Sequence, residues 1–517
     1  MEISKDNKRI AKNTLFLYFR MLLIMGVSLF TVRIVLKTLG AEDYGINNVV
    51  GGIVAMLGFF TSTMTSASQR FFAYELGKNN IEKLGRYFKL TFLLYIGFGL
   101  IVLLLAETVG LWFVKTQLLI PDERTHAALW VYHFSIASFI LHMFVIPYNS
   151  MIIAYEQMHI YAYVSVIEAI LKLIIVYVLV IFEADKLIIY AVLSFSVTML
   201  MFVFYMLYGI FKYKACKPGL YWNREMFVEL TGYSGWSLFG ALSGMVKNQG
   251  INILLNVFFN PIVNAARAIA FQVNSAVNLF VTNFYQAVRP QIIKQYAANE
   301  QKEMMKLVFR SSKFCYYLIL FLAIPLLIET PYILSLWLTN VPDHTILFTR
   351  LVIITSMIES ISYPFMTAVS ATGKIKWYQI VTGSLLILNL PIAYFFLKLG
   401  YPPETTMYVI LCVALISQIS RMLFMKKIHQ MSIQYYMKHI ISILIVVTIL
   451  SLGIPFSLNR IFSDEGGLRL IIVVFSSFIS TIISIYFIGL TQKERNIFNK
   501  LLLSLKHKLI KPKFDKL

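Results

Sequence analysis

Between Lys247 and Arg289 the chain carries amides, hydroxyls and cations at intervals that place them on one side of a helix. Asn264, Arg267, Phe271, Asn274, Asn278, Thr282, Tyr285 and Arg289 follow one another at steps of three or four, while the other positions are almost wholly apolar. Just upstream, Asn248, Asn252 and Asn256 recur every four residues beside Lys247. Asparagines offer donors and acceptors to sugars, and Arg or Lys hydrogen bonds to a phosphate-like group are worth roughly 1.5 to 3 kcal/mol each. In a chain this poor in polar surface, two greasy helices with polar seams point to a hydrated cavity inside a membrane. The Asn series also fits a structural role as interhelical glue, which in membranes averages about 0.6 kcal/mol per hydrogen bond.

The elements that must position these residues are membrane spans. Of 517 residues, 58% are hydrophobic and 14% charged, with a mean hydropathy of +0.73, too apolar for a soluble fold. Apolar runs of about 20 residues, each enough to cross ~30 Å of hydrocarbon, begin near 13, 46, 90, 127, 161, 187, 230, 262, 314, 346, 377, 406, 439 and 468. The predicted fold is therefore an all-α polytopic membrane protein of about 14 transmembrane helices. The run after Lys12 is too long for a signal-peptide core and lacks a cleavage site.

The formal charge of +21 follows topology rather than nucleic-acid binding. Of 46 Lys and Arg, 33 fall in the termini and the loops on their side of the membrane, 9 in the opposite loops and 4 within spans. Both termini are thus predicted cytoplasmic, with segments 68–89 and 213–224; Asp122, Asp343 and Asp464 are predicted outside. The longest connections, Phe211 to Glu229 and Arg289 to Lys313, are basic, and segments such as Ile292 to Arg310 and the tail from Thr491 onward have the pattern of helices lying along an anionic leaflet, or of solvated loops.

Six ionisable residues fall within predicted spans: Arg20, Glu168, Lys172, Lys247, Arg267 and Glu359. Each costs about 2.5 to 3.5 kcal/mol near the centre of an isolated span, so each is expected to face a polar cavity or an ion partner. Arg20 either snorkels to the interface or lines a cavity. Glu168 and Lys172, at i and i+4, make either a self-neutralising pair or a cation-sensitive switch. Glu359 has no basic neighbour in sequence and reads as a proton or sodium site, or as the partner of Lys247 or Arg267. Arg33 and Arg70 lie near interfaces, to guide headgroups or to anchor. The substrate-binding set is therefore Arg20, Lys247, Asn248, Asn252, Arg267, Asn274, Asn278 and Arg70, and the ion-coupling set Glu359, Glu168 and Lys172.

Enzymatic readings lack residues. The predicted outer loops are too short for a catalytic cluster, His126, His133 and His142 do not have metal-ligand spacing, and there is no Walker motif. Cys216, Cys315 and Cys412 are far apart, which indicates neither a disulfide framework nor a zinc site. No catalytic residue, metal or cofactor is predicted.

A weak internal echo appears at an offset of 219: Ile34, Val35 and Leu36 match Ile253, Leu254 and Leu255, and Gly40 to Gly45 corresponds to Phe259 to Asn264. It implies that spans one to six repeat as seven to twelve, in the same orientation.

The opening NTLFLYFRMLLIMGVSLFTVRIVLKTLGAEDYGINNVVGGIVAMLGFF, then SQRFFAYELGK at Ser68 to Lys78 and IPYNSMIIAYEQMHIYAYVSVIEAILKL at Ile146 to Leu173, resembles bacterial Wzx-type oligosaccharide flippases. These belong to the polysaccharide transporter branch of the multidrug/oligosaccharidyl-lipid/polysaccharide (MOP) superfamily. The resemblance implies two six-helix lobes around a central cavity plus two C-terminal helices, here 1–215, 216–430 and 431–517. It implies alternating-access movement of an undecaprenyl-pyrophosphate-linked oligosaccharide across the inner membrane for O-antigen, capsule or exopolysaccharide synthesis, with arginines on the first helix facing the cavity. Implied partners are that polyprenyl-pyrophosphate-linked oligosaccharide, H+ or Na+, membrane lipids, and polysaccharide polymerase and chain-length machinery; nucleic acid is not among them. A multidrug or metabolite antiporter of the same architecture is the second reading, and a membrane polymerase or ligase the third.

Overall fold

A computed structural model describes residues 5–496 and 499, apart from 56, 57, 117, 119, 182, 183, 218, 260, 339 and 463–465. The described residues form helices and connecting turns, with no strand among them. Asp464 and Glu465, and the tail at 497–498 and 500–517, lie outside the described residues.

Each predicted span coincides with a helix. In chain order these are α1 (5–39), α2 (41–55 and Gly58–Gly77), α3 (Ile81–Thr116), α4 (Asp122–Ala154), α5 (Met158–Val178), α6 (Lys186–Lys212) and α7 (Arg224–Phe258). Then come α8 (Pro261–Ala297), α9 (Gln301–Ile328), α10 (Thr345–Ala371), α11 (Lys376–Lys398), α12 (Thr405–His429), α13 (Ile433–Ile461) and α14 (Gly467–Gly489). Among the described residues, eleven helices are long and apolar enough to cross a membrane. The three outside that set are α2, α7 and α8, so the two helices with polar seams are among the least apolar of the bundle.

α1 turns into α2 at Gly40, whose φ of +81° lies in the left-handed region that glycine adopts without steric cost. At the offset of 219 this position matches Phe259, where the chain leaves α7 to begin α8 at Pro261. Helix pairings repeat in the same way: α1 packs on α5, α2 on α4 and α4 on α6, while α7 packs on α11, α8 on α10 and α10 on α12. The sequence echo therefore marks a repeated arrangement of six helices. α13 and α14 pack on each other and on α9. Glu329, fully buried at the end of α9, accepts from Arg469 Nη2 at 2.9 Å and Asn459 Nδ2 at 2.7 Å, which ties both last helices to the bundle.

The hydrophobic cores show how the two sets of six meet. One large core draws on both, from Ala67, Phe71 and Leu90 to Val281, Ile292 and Phe365. Toward the opposite end, a core around Val50, Val131 and Leu187 belongs to the first set alone, and a core around Leu255, Ala266 and Phe348 to the second alone. The halves are fused at the end where α1 begins, the basic end, and packed separately at the other. At that other end Arg124 bridges Asp43, which begins α2, to Asp185, which caps α6 by accepting from the amides of Leu187 and Ile188. Partial burial pushes the Asp185 carboxyl up, but Arg124 and those amides outweigh it and hold it below the ordinary carboxylate value.

Three expectations are corrected. Arg289 to Lys313 is not a loop: α8 continues to Ala297 and α9 begins at Gln301, so the connection is a short turn. Ile292 to Arg310 does not lie along a leaflet either, since Ile292, Ile293, Met304 and Val308 are buried in the shared core. Likewise, of Phe211 to Glu229 only the middle is a connection, because α6 runs to Lys212 and α7 starts at Arg224.

Candidate functional site

The first six helices enclose a cavity of about 400 Å³ between α1, α4, α5 and α6, lined by Arg20, His142, Asn149, Tyr161, Glu168 and Lys172 among others. Arg20 sits in its wall with the guanidinium 4.3 Å from the centroid of the Tyr161 ring, rather than reaching along α1 to the membrane edge. Its Nε is buried without a hydrogen-bond partner. Lys172 Nζ donates to Glu168 Oε1 at 2.7 Å, so this acid and base neutralise each other and leave Arg20 as the uncompensated charge.

In the second set the seam divides along its length. Arg267, 4% exposed, donates to Asn252 on α7 and stacks 4.2 Å from the centroid of Phe271; its Nε and Nη2 have no hydrogen-bond partner. Asn252 in turn donates to Gln249 at 3.2 Å. Asn278 donates to Ser356 of α10 at 3.2 Å, and Ser356 to Asn274 at 2.7 Å, so these two amides serve as interhelical contacts in this conformation. Asn248 is exposed on α7. Glu359 on α10 lies 3.8 Å from Lys247 Nζ, the cross-bundle pairing left open by its sequence. That separation is long for an ion pair and leaves both side chains partly accessible, at 34% and 13%. Glu359→Gln is expected to slow turnover under an imposed pH or sodium gradient more than it weakens cargo binding. Transport in reconstituted vesicles measures this, and full activity of the variant under every gradient removes Glu359 from the coupling step.

Arg70, expected near an interface to guide headgroups or to anchor, is buried inside the protein. It is 2% exposed on α2, donates to the Ala371 carbonyl at 3.1 Å, stands 3.7 Å from Glu229 and packs on the rings of Phe71, Tyr74 and Tyr233. Its partners on α7 and α10 make it a joint between the two halves. Three more joints lie at the same basic end. Arg289 donates to Ser66 Oγ at 2.6 Å and Gln69 Oε1 at 3.1 Å. Tyr18 donates to the Phe280 carbonyl at 3.0 Å. Glu156, whose side chain is fully buried in the turn between α4 and α5, takes Arg9 Nε and Lys294 Nζ, each at 2.6 Å.

Neither Glu156 nor Arg421 stands out as a site residue in the sequence. Glu156 stood inside the quoted Ile146–Leu173 stretch, and its left-handed backbone (φ +59°) is a conformation that a carboxylate side chain rarely holds without tertiary support. Arg421 lies inside α12 and is 9% exposed. The usable signal was the run Ser417, Gln418, Arg421, three polar residues at helical spacing before the basic helix end.

A family model described as MatE matches residues 17–178, which covers α1 to α5. An outward-facing multidrug resistance MATE family transporter of the MOP superfamily superposes with a TM-score of 0.69 at 12% identity, covering 83% of this chain and 99% of that one. The chain has the MATE transporter fold. The Vibrio cholerae MATE transporter VcmN in its bent form gives 0.65 at 16% identity over 83% and 98% of the two chains. A MOP superfamily transporter from Pyrococcus furiosus, whose reverse polarity of binding pocket is said to suggest a different function, gives 0.68 at 11% over 83% and 99%. No curated protein matches the chain.

Proposed function

We propose that this protein is a MOP-type transporter that flips an undecaprenyl-pyrophosphate-linked oligosaccharide from the cytoplasmic to the outer leaflet of a bacterial inner membrane by alternating access. The observation that carries the reading is the sign of the membrane interior. The two acids placed within predicted spans each face a lysine, Glu168 with Lys172 and Glu359 with Lys247. Arg20 and Arg267, the two remaining bases placed within predicted spans, have no carboxylate within ion-pair distance among the described residues. A cavity of net positive charge selects anions, and a lipid pyrophosphate supplies the acceptor oxygens these guanidinium groups lack.

Two further features support it. The solved transporters are covered almost completely while 83% of this chain is used, so an added portion remains that matches 431–517, with α13 and α14, in size. A groove of about 400 Å³ between α1, α8, α9 and the end of α14, lined mainly by Ile10, Leu15, Phe284, Val288, Leu307 and Phe314, offers an apolar surface for a polyprenyl chain beside the cationic interior. The division 1–215, 216–430 and 431–517 follows as two moving lobes and an appended pair. With the basic end in the cytoplasm, as the Lys and Arg distribution places it, this conformation is outward-facing.

A multidrug antiporter is the second reading, because transporters of that description share the fold. Deletion of the protein separates the two. Accumulation of completed lipid-linked repeat units on the cytoplasmic leaflet supports flipping, whereas normal glycan export with lost drug tolerance supports the antiporter. At the residue level, Arg267→Ala is expected to weaken binding of the pyrophosphate lipid by roughly 1.5 to 3 kcal/mol, with Arg267→Lys only partly tolerated, since lysine keeps the charge and loses the planar fork. Titration of the lipid into the purified variants checks this, and unchanged affinity in Arg267→Ala reduces the polar seam to packing.

A further inference from the structure

On the outer surface of the first six helices, α3 and α4 carry an ionisable pair that lines neither the Arg20 cavity nor the apolar groove. Glu107 and His133 lie inside the spans Ile81–Thr116 and Asp122–Ala154, with side chains 42% and 47% exposed. Histidine Nδ1 stands 3.1 Å from glutamate Oε1, and no lysine or arginine is within ion-pair distance of Glu107 among the described residues. Around the pair, Leu100, Leu104, Val109 and Trp112 of α3 are all more than half exposed, as expected of a surface that meets acyl chains.

Local structure is adapted to this pair. From Ala106 to Gly110, α3 widens into a π-helical turn, a feature that recurs at functional sites. Tyr132, the neighbour of His133, donates to the Ala106 carbonyl in that turn at 2.7 Å, and Gly110 makes room for it, since a Cβ there would overlap the tyrosine oxygen. An ionisable pair facing hydrocarbon is costly without a polar partner. With the carboxylate ionised, His133 Nδ1–H donates to it, which leaves a carboxylate oxygen and histidine Nε2 as open acceptors carrying one net negative charge.

Depth points to a lipid headgroup as that partner. Trp112 lies five residues from Glu107 and Trp130 three from His133, about 7.5 and 4.5 Å along their helices, and exposed tryptophans mark the headgroup level. Trp130 is held there by donating Nε1 to His126 at 3.3 Å. Among headgroups, ethanolamine brings a cation with three N–H donors, choline a cation with none, and glycerol hydroxyl donors without a cation. We propose that Glu107 and His133 bind the ammonium of an ethanolamine phospholipid, in the leaflet that the Lys and Arg distribution places outside. Because α3 and α4 belong to the same half, the lipid moves with that half, whichever cargo crosses the interior.

The test is native mass spectrometry of the full-length protein in detergent, titrated with phosphatidylethanolamine, its N-methyl and N,N-dimethyl derivatives, and phosphatidylcholine of the same acyl chains. These lipids share one phosphate and one positive charge and differ in the number of donors. Affinity is expected to fall along the series, by tenfold or more from first to last. Glu107→Gln should lower the ethanolamine lipid to the choline value and leave the choline value unchanged. The exposed Glu303→Gln at the basic end, which removes one negative charge elsewhere, should keep the parent series. Should Glu107→Gln fail to fold, His133→Leu carries the test, with an expected threefold or greater loss for the ethanolamine lipid alone. Equal affinities across the series in the parent overturn the inference and leave the pair to a cationic side chain of a neighbouring membrane protein. An ethanolamine preference unchanged in the folded variant overturns it as well. Neither result bears on flipping, which the deletion experiment judges separately.

Discussion

Glu156→Gln is expected to shift the transporter away from the conformation seen here. The Glu156 carboxylate is fully buried and holds Arg9 on α1 and Lys294 on α8, one from each half, at 2.6 Å. Removing one member of a buried ion pair costs about 3 to 5 kcal/mol, a cost that falls more on Lys294, 18% exposed, than on Arg9, whose side chain is 43% exposed and screened by water. Parting the basic end returns Lys294 to water, so much of that cost falls on the closed form alone. A differential of about 2.8 kcal/mol already changes a two-state ratio a hundredfold. Spin labels at exposed Val49 on α2 and Ile262 on α8, near the end that packs separately, report the result. Their distance distribution should move to shorter values in Glu156→Gln. An unchanged distribution with unchanged turnover would show that the shared apolar core holds the basic end closed without this cluster.

The second large effect is on stability. Arg469→Ala leaves the Glu329 carboxylate buried with Asn459 as its nearest donor, and the expected loss is again about 3 to 5 kcal/mol. Glu329→Gln should be milder, since the amide still accepts from Asn459 while Arg469 loses its counter-charge. Thermal unfolding in detergent orders the variants, and equal midpoints for Arg469→Ala and the parent would mean that apolar contacts alone dock α13 and α14 to α9. A proteolytic cut in the segment before α13 should become faster in Arg469→Ala if undocking precedes global unfolding.

Much of this was legible in the sequence because the bilayer imposes a simple grammar. A span must be about 20 apolar residues, and a charge inside one must find a partner, so the placing of the spans followed from hydropathy, and Arg20, Lys247, Arg267 and Glu359 stood out as needing a polar cavity or an ion partner. The Glu168–Lys172 pair followed from the helical repeat. What escaped lies where helices outrun the hydrocarbon. Hydropathy starts a basic connection at Arg289, although α8 continues through it to Ala297. Arg70 and Glu156 were hidden for another reason: their partners, Glu229 and Ala371, Arg9 and Lys294, are more than a hundred residues away, and no local periodicity encodes which half will lie against which. The Asn274 and Asn278 amides were visible as polar, but only packing decides that they face Ser356 in this conformation.

The shared core at the basic end makes the two closures thermodynamically unlike. Opening that end must separate Ala67, Phe71 and their neighbours from Val281 and Ile292 and wet the apolar surface between them, which carries a positive heat-capacity change. The attraction that keeps it shut therefore weakens on cooling, whereas ionic links such as Glu156 with Arg9 do not share that trend. The rate of conformational exchange should accordingly follow a curved rather than a straight Arrhenius line, and the population open at the basic end should grow in the cold.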